Sequence, residues 1–139
     1  GKAFIYLDVS GSMGDILPRL LSLIVPWVAN GHADVFQFST IVEPLSLAEL
    51  KQGRINTTGG TDINCVIEHM LEAKPAVRRA LILTDGYTGE PDNELIQRVR
   101  DNNIRMHVVL PADDSSPEDL QEIATSLVTL PSIYPGSSI

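Results

Sequence analysis

The residues best suited to chemistry are oxygen-bearing side chains in three short segments. Asp8, Ser10 and Ser12 alternate after an apolar run in AFIYLDVSGSM. Thr61 follows two glycines in GGTD, and Asp85 ends the run ALILTD. No histidine or cysteine belongs to the set, so it suits a hard divalent cation, Mg²⁺ before Mn²⁺ or Ca²⁺, rather than zinc. We predict a metal site here, because two aspartates brought together without a cation would repel each other.

The elements that must position these side chains are typical of an α/β fold, since apolar runs of strand length alternate with helical patterns. We predict a doubly wound, mostly parallel sheet flanked by helices, with an antiparallel strand at one edge. The predicted strands are 3–9, 33–39, 41–47, 79–84 and 104–110, and the predicted helices are 16–28, 47–51, 62–73, 91–101 and 116–126. In such sheets the functional crevice lies at the carboxyl ends of the strands, where the three segments should converge.

Local signals within the helices carry further expectations. Pro18 suits a first helical turn, whereas Pro26 should kink its helix or end it early. Trp27 is expected to lie on the first helical face or at its edge and to have a packing role. Ser116, followed by acids, is typical of an N-cap that opens a helix. Asp62 is expected to cap its helix, and a supporting contact to the metal ligands is the alternative.

Composition limits the function further. The 139 residues are 43% apolar and carry a net charge of −8. We expect one domain at 1–130 and a loosely ordered tail at 131–139, belonging to a longer protein. Spread acidic charge argues against direct nucleic-acid binding, and no apolar stretch approaches the roughly 20 residues of a membrane span. Cys65 is the lone cysteine, which excludes an internal disulfide, fits a reducing compartment and indicates a small buried residue.

Two other interpretations of the oxygen-rich segments remain open. DVSGS could be an ordinary strand-to-helix cap, because Asp and Ser favour N-caps. Aspartates at sheet ends also hold Mg²⁺ in phosphoesterases and phosphotransferases, which is the rival enzymatic interpretation. Such an enzyme needs an aspartate nucleophile two residues from a second aspartate, or a nearby general base. Ser10 occupies that second position, and no G-x-S-x-G, G-x-G-x-x-G or P-loop motif occurs.

The three segments together resemble the metal-ion-dependent adhesion site (MIDAS) of von Willebrand factor A (vWA) domains. DVSGS matches the D-x-S-x-S motif, GGTD resembles the second metal loop and TDG the third. The resemblance implies that Ser10, Ser12 and Thr61 coordinate the ion directly, while Asp8 and Asp85 hold it through water and balance its charge. It also implies an open coordination position that takes a Glu or Asp carboxylate from a partner protein.

The chain is shorter than the large extracellular members of that family, and the segment between Ser39 and Thr61 is compressed. It resembles compact bacterial and other intracellular members, which include a domain of Ro-type RNA-binding proteins and the partners of MoxR-type AAA ATPases. The resemblance implies a cytoplasmic recognition module without catalysis of its own, with a MoxR-type ATPase as one candidate partner. A scaffold domain of a Ro-type protein is the alternative, and its RNA contacts would need a basic surface outside these residues.

Overall fold

A six-stranded sheet with helices on both faces forms the fold. The computed structural model describes residues 2–14, 16–52 and 60–131. The strands are β1 Ala3–Asp8, β2 Ala33–Phe38, β3 Val42–Leu45, β4 Arg79–Leu83, β5 Arg105–Leu110 and β6 Ser126–Thr129. The helices are α1 Leu17–Ala29, α2 Leu47–Gln52, α3 Ile63–Glu72 and α4 Asn93–Asp101, with 3₁₀ turns at Gly11–Met13 and Glu118–Leu120.

The strand order is β3-β2-β1-β4-β5-β6, and every pair is parallel except the antiparallel pair β2–β3. The predicted fold class, including the antiparallel edge strand, is confirmed. Because β1 and β4 are adjacent and parallel, Asp8 and Asp85 come to the same edge of the sheet. Residues 53–59, which lie between the predicted helices 47–51 and 62–73, and all but the first residue of the predicted tail 131–139, lie outside the described residues.

Alternating side chains divide the core into two layers. Tyr6 of β1 points to the side of α3 and α4, where it joins Ile67 and Met106. Leu7 points to the side of α1 and α2 and joins Leu20. This period of two is what a central strand produces when both of its faces are covered.

The predicted helix signals have mixed outcomes. Pro18 lies in the first turn of α1, and Asp62 caps α3 by accepting a 2.9 Å hydrogen bond from the backbone N–H of Asn64. The helix does not end early at Pro26 but continues to Ala29. Ser22 and Pro26 both lie on the exposed side of α1, where water can bond the carbonyl that lacks a backbone donor.

Three expectations about the rest of the chain are wrong: the helix at 116–126, the packing of Trp27 and the burial of Cys65. The predicted helix at 116–126 contains only a 3₁₀ turn at Glu118–Leu120, and its last predicted residue, Ser126, begins β6, a strand at the open edge of β5 that the sequence patterns did not predict. Trp27 is 60% exposed rather than packed, and Cys65 is half-buried. Within the described residues, no helix is long and apolar enough to cross a membrane.

Candidate metal centre

Asp8 is the buried anchor of the candidate site. It ends β1 with its side chain fully enclosed. One carboxylate oxygen, Oδ1, accepts a 2.9 Å hydrogen bond from the backbone N–H of Ser10. The other, Oδ2, accepts a 2.6 Å hydrogen bond from the hydroxyl of Thr84, which follows β4. The orientation of the carboxylate is therefore fixed from two neighbouring strands.

The two serines connect the first segment to the third. The hydroxyls of Ser10 and Ser12 are 3.1 Å apart, and the Ser12 hydroxyl donates a very short hydrogen bond to Oδ2 of Asp85. The other oxygen of Asp85 accepts from the backbone N–H of Tyr87 at 3.1 Å. Four of the five predicted site residues, Asp8, Ser10, Ser12 and Asp85, thus form one hydrogen-bonded cluster.

The cluster concentrates negative charge. Burial raises the pKa of Asp8 above its usual range, and the nearby charge of Asp85 adds to that rise, while hydrogen bonds from Thr84 and Ser10 oppose it. Within the described residues, the single ion pair joins Lys2 to Asp34, so no basic side chain neutralises these aspartates. Two carboxylates and two hydroxyls without a protein cation are a donor set that fits a hard divalent ion.

The third loop is held by a glycine that no other residue can replace without strain. Gly86 has a φ of +87°, and a Cβ there would stand 1.8 Å from the carbonyl oxygen of Ser116. The backbone N–H of Ser116 in turn donates to the carbonyl of Asp85 at 2.9 Å. The turn after β4 is therefore pressed against the segment that precedes the second 3₁₀ turn, which fixes the backbone of Asp85.

Thr61 lies on the second loop, at the start of α3. The backbone N–H of Asp62 donates to the carbonyl of Ser39 at 2.8 Å, and that of Ile63 donates to the carbonyl of Thr88 at 3.1 Å. Thr61 is therefore anchored between the carboxyl end of β2 and the loop that follows Asp85. Its role as a direct metal ligand stays a prediction, as do the ligand roles of the other four residues.

Thr84 is the site residue that sequence reasoning missed. It stands in the TDG segment, but it received no role of its own there. Its hydroxyl donates to Asp8 and accepts a 3.1 Å hydrogen bond from the backbone N–H of Gly86, so it links both aspartate loops. The available signal was a threonine directly after an apolar strand, where a buried hydroxyl must find polar partners.

The histidines and the cysteine take no part in the cluster. His69 lies 2.8 Å from the Tyr6 hydroxyl and His107 lies 2.7 Å from the Ser126 hydroxyl, and neither contact includes a residue of the cluster. Burial, followed by the charge of Asp62, raises the pKa of the Cys65 thiol to about 11, so it stays protonated at neutral pH. In the part of the chain that the structure describes, no three His, Cys, Asp or Glu side chains group to hold a metal.

Fold and motif together define a vWA domain that carries a MIDAS motif, a type of metal-dependent protein-interaction module. The sequence model of one family within this class, described as VWA domain containing CoxE-like protein, matches residues 2–131. The chain belongs to that family. No curated protein matches the sequence.

Solved structures show the same fold at low sequence identity. Proximal thread matrix protein 1 from the mussel byssus superposes with a TM-score of 0.70 and 16% identity, in a structure whose MIDAS motif is occupied by zinc. The match covers 95% of this chain and 44% of the mussel chain. The pilus adhesin SpaC from Lactobacillus rhamnosus GG, in its open conformation, gives a TM-score of 0.62 at 12% identity and covers 94% and 28% of the two chains. This chain therefore spans less than half of either protein.

Proposed function

We propose that this domain is a divalent-cation-dependent module that binds a Glu or Asp carboxylate of a partner protein. The observation that carries the proposal is the cluster in which Asp8, Ser10, Ser12 and Asp85 meet at the carboxyl ends of β1 and β4. A buried carboxylate with a raised pKa, beside a second carboxylate and no protein cation, is stabilised by a bound metal ion.

The five site residues divide into two groups by their role in this function. Ser10, Ser12 and Thr61 supply neutral oxygens toward the ion, and Asp8 and Asp85 supply the negative charge. Mg²⁺ is the ion we propose, with Mn²⁺ or Ca²⁺ next, because every donor is an oxygen. When bound, the ion supplies the positive charge that attracts a carboxylate to a chain whose own net charge is −8.

The partner and the location are proposals of the same kind. The compact form, with a short segment between β3 and α3, supports an intracellular member that acts in the cytoplasm beside a MoxR-type AAA ATPase. A single acidic side chain of that ATPase would then carry most of the binding energy, because it alone reaches the ion.

Metal binding is the first test. Calorimetric titration of the full chain with Mg²⁺, Mn²⁺, Ca²⁺ and Zn²⁺ should show one site per molecule. Ser12→Ala should weaken that site at least tenfold, by removing a hydroxyl ligand. Ser22→Ala is the matched control, since Ser22 lies on the exposed side of α1 and its hydroxyl donates to the carbonyl of Arg19. Equal metal affinity in both variants would contradict the site.

Partner binding is the second test. Binding to a MoxR-type ATPase should disappear in EDTA and return with Mg²⁺. Replacing the critical partner Glu by Gln should remove most of the affinity, because the amide keeps the shape without the charge. Binding that survives EDTA unchanged would place the contact on another face of the domain.

Catalysis is not part of the proposal. Phosphatase, nucleotidase and nuclease assays with Mg²⁺ or Mn²⁺ should show no turnover that depends on Asp8. Both oxygens of Asp8 already accept hydrogen bonds inside the protein, which leaves it poorly placed as a base or nucleophile. An activity that is lost in Asp8→Ala, with the fold intact, would favour the metal-dependent phosphoryl enzyme instead.

A further inference from the structure

Two large apolar side chains are exposed beside the candidate metal site. Tyr87, in the loop after β4, is 58% exposed, and Ile41, in the turn between β2 and β3, is 60% exposed. The loop of Thr61 is anchored between these two segments, by backbone hydrogen bonds to Ser39 on one side and to Thr88 on the other. Tyr87 and Ile41 therefore border the site on opposite sides.

The strand order sets the order of these features along the carboxyl edge of the sheet. The turn with Ile41 follows β2, Asp8 ends β1, and the loop with Tyr87 follows β4. The segment after β5 comes next, and the backbone N–H of Ser116 in that segment donates to the carbonyl of Asp85. Neighbouring strands are about 4.8 Å apart, so the β5 segment lies about 10 Å from Asp8, with the Tyr87 loop between them.

The side of the site beyond Tyr87 is acidic. The loop 84–92 and the segment 111–119 contain no lysine or arginine. Besides Asp85 they contain acidic residues that are all exposed except the last, namely Glu90, Asp92, Asp113, Asp114, Glu118 and Asp119. The ion pair found within the described residues, between Lys2 and Asp34, includes none of them. A partner that brings a carboxylate to the ion must therefore pass close to unpaired negative charge.

The ion cannot select among acidic partners, because every exposed Glu or Asp offers it the same carboxylate. Selection then depends on the residues that surround the ion. A segment with further acids beside its Glu would be repelled by the loops after β4 and β5, and a segment with a base there would be attracted. Apolar neighbours of the Glu would cover Tyr87 and Ile41, which otherwise stay in water.

We propose that the partner's Glu or Asp is flanked on one side, within about four residues, first by an apolar side chain and then by a Lys or Arg. This inference rests on the function proposed above and specifies the partner of the same site. An extended segment rises about 3.3 Å per residue, so a segment with its acid at the ion reaches the β5 loop about three residues further on. Its apolar side chain packs on Tyr87, and its base faces Asp113 and Glu118.

A displayed peptide library measures this preference directly. The probe is a phage library of nine-residue peptides with a fixed central glutamate and four random residues on each side. The library is bound to the immobilised full chain at saturating Mg²⁺ and released with EDTA, so that metal-dependent binders are sequenced. Lys and Arg should be enriched about threefold over the input library near the third residue from the glutamate, with apolar residues between, because exposed charge pairs are weak.

Charge reversal tests the role of the acidic loops. With Asp113→Lys and Glu118→Lys combined, the released pool should lose its Lys and Arg and gain Asp and Glu. The matched control combines Asp101→Lys with Glu122→Lys, which changes the net charge equally. Both control residues are exposed, Asp101 ends α4, and the Glu122 carbonyl accepts from Arg100 of the same helix, so they lie near the amino end of β5. The control should select the same peptides as the unchanged chain.

Truncation of the aromatic side chain tests the apolar part. Tyr87→Ala should remove the enrichment of apolar residues beside the glutamate. Trp27→Ala is the matched control, since Trp27 is 60% exposed and lies in the last turn of α1, at the other end of the domain from the site. Circular dichroism verifies that each variant is folded.

The outcomes separate this inference from the proposed function. A released pool with no bias beside the glutamate overturns the inference, whether or not the variants fold, and leaves metal-dependent carboxylate binding intact. A bias that is unchanged when Asp113 and Glu118 are reversed also overturns it. If EDTA releases no more phage than from a library with a central glutamine, the proposed function itself fails, and this inference fails with it.

Discussion

Thr84 provides the sharpest test of how the candidate site is held together. Its hydroxyl donates to Oδ2 of Asp8 at 2.6 Å and accepts from the backbone N–H of Gly86 at 3.1 Å. Thr84 and Asp8 are both fully buried, so water cannot replace either bond. Thr84→Val keeps the shape of the side chain and removes both hydrogen bonds.

The expected loss of stability follows from these two contacts. A hydrogen bond to a charged group contributes about 1.5–3 kcal/mol, and a neutral one about 0.5–1.5 kcal/mol. The free energy of unfolding of Thr84→Val should therefore fall by about 2–4 kcal/mol. Thr84→Ser keeps the hydroxyl and loses one buried methyl group, which costs about 1 kcal/mol. Urea denaturation of both variants at pH 7 in EDTA measures the difference.

The Mg²⁺ affinity of the two variants should follow the same order as their stability, with Thr84→Val weaker than Thr84→Ser. The loss of a residue that orients a metal-site carboxylate weakens metal binding about 10–100-fold. Calorimetry should therefore show weak Mg²⁺ binding by Thr84→Val and nearly normal binding by Thr84→Ser. If the two variants have equal stability and equal affinity, the Thr84 hydroxyl does not hold Asp8, and the reasoning is refuted.

Three further predictions rest on matched residues. Gly86→Ala should lower the free energy of unfolding by several kcal/mol or prevent folding. Gly89→Ala should cost about 1 kcal/mol, because Gly89 also has a positive φ, +76°, but has open space around it. Thermal melts of the two variants measure the difference. Asp62→Ala should cost about 0.5–2 kcal/mol in urea, and Asp92→Ala less, because only the first side chain makes a capping hydrogen bond. Burial lowers the pKa of His69, so the unfolded chain takes up a proton first, near pH 6.5. Stability should therefore fall as pH drops from about 6.5 toward the folded pKa, and urea midpoints should show a weaker fall in His69→Phe.

Much of the site was predictable because its signals are local. An apolar run that stops at Asp8, with hydroxyls at alternating positions after it, predicted both β1 and the first ligand segment. The run before Asp85 did the same for β4. Adjacent parallel strands then bring such residues to one edge, and the hydrogen bonds among Asp8, Ser10, Ser12 and Asp85 agree with that expectation.

The part of the fold that escaped prediction depends on distant partners. The segment from Ser116 has the local signal of a helix start, yet its helical part is a 3₁₀ turn at Glu118–Leu120. The strand β6 that follows was not predicted, because a short β-branched segment is stabilised there by the open edge of β5, which is distant in sequence. Trp27 follows the helical pattern of α1, but exposure depends on which elements reach that helix. The helices α3 and α4 pack on the face of the sheet opposite α1, so they do not cover Trp27, which stays exposed.

The sequence by itself determined the oxygen-rich motif, the parallel sheet and the net charge, because residue type and period are sufficient for each of them. Only the tertiary structure decided the role of Thr84 and the placement of Arg79 beside Arg105. Thr84 is 76 residues from Asp8 along the chain, and Arg79 meets Arg105 only through the register of β4 and β5. Such contacts arise from the packing of the whole sheet, and no short stretch of sequence encodes them.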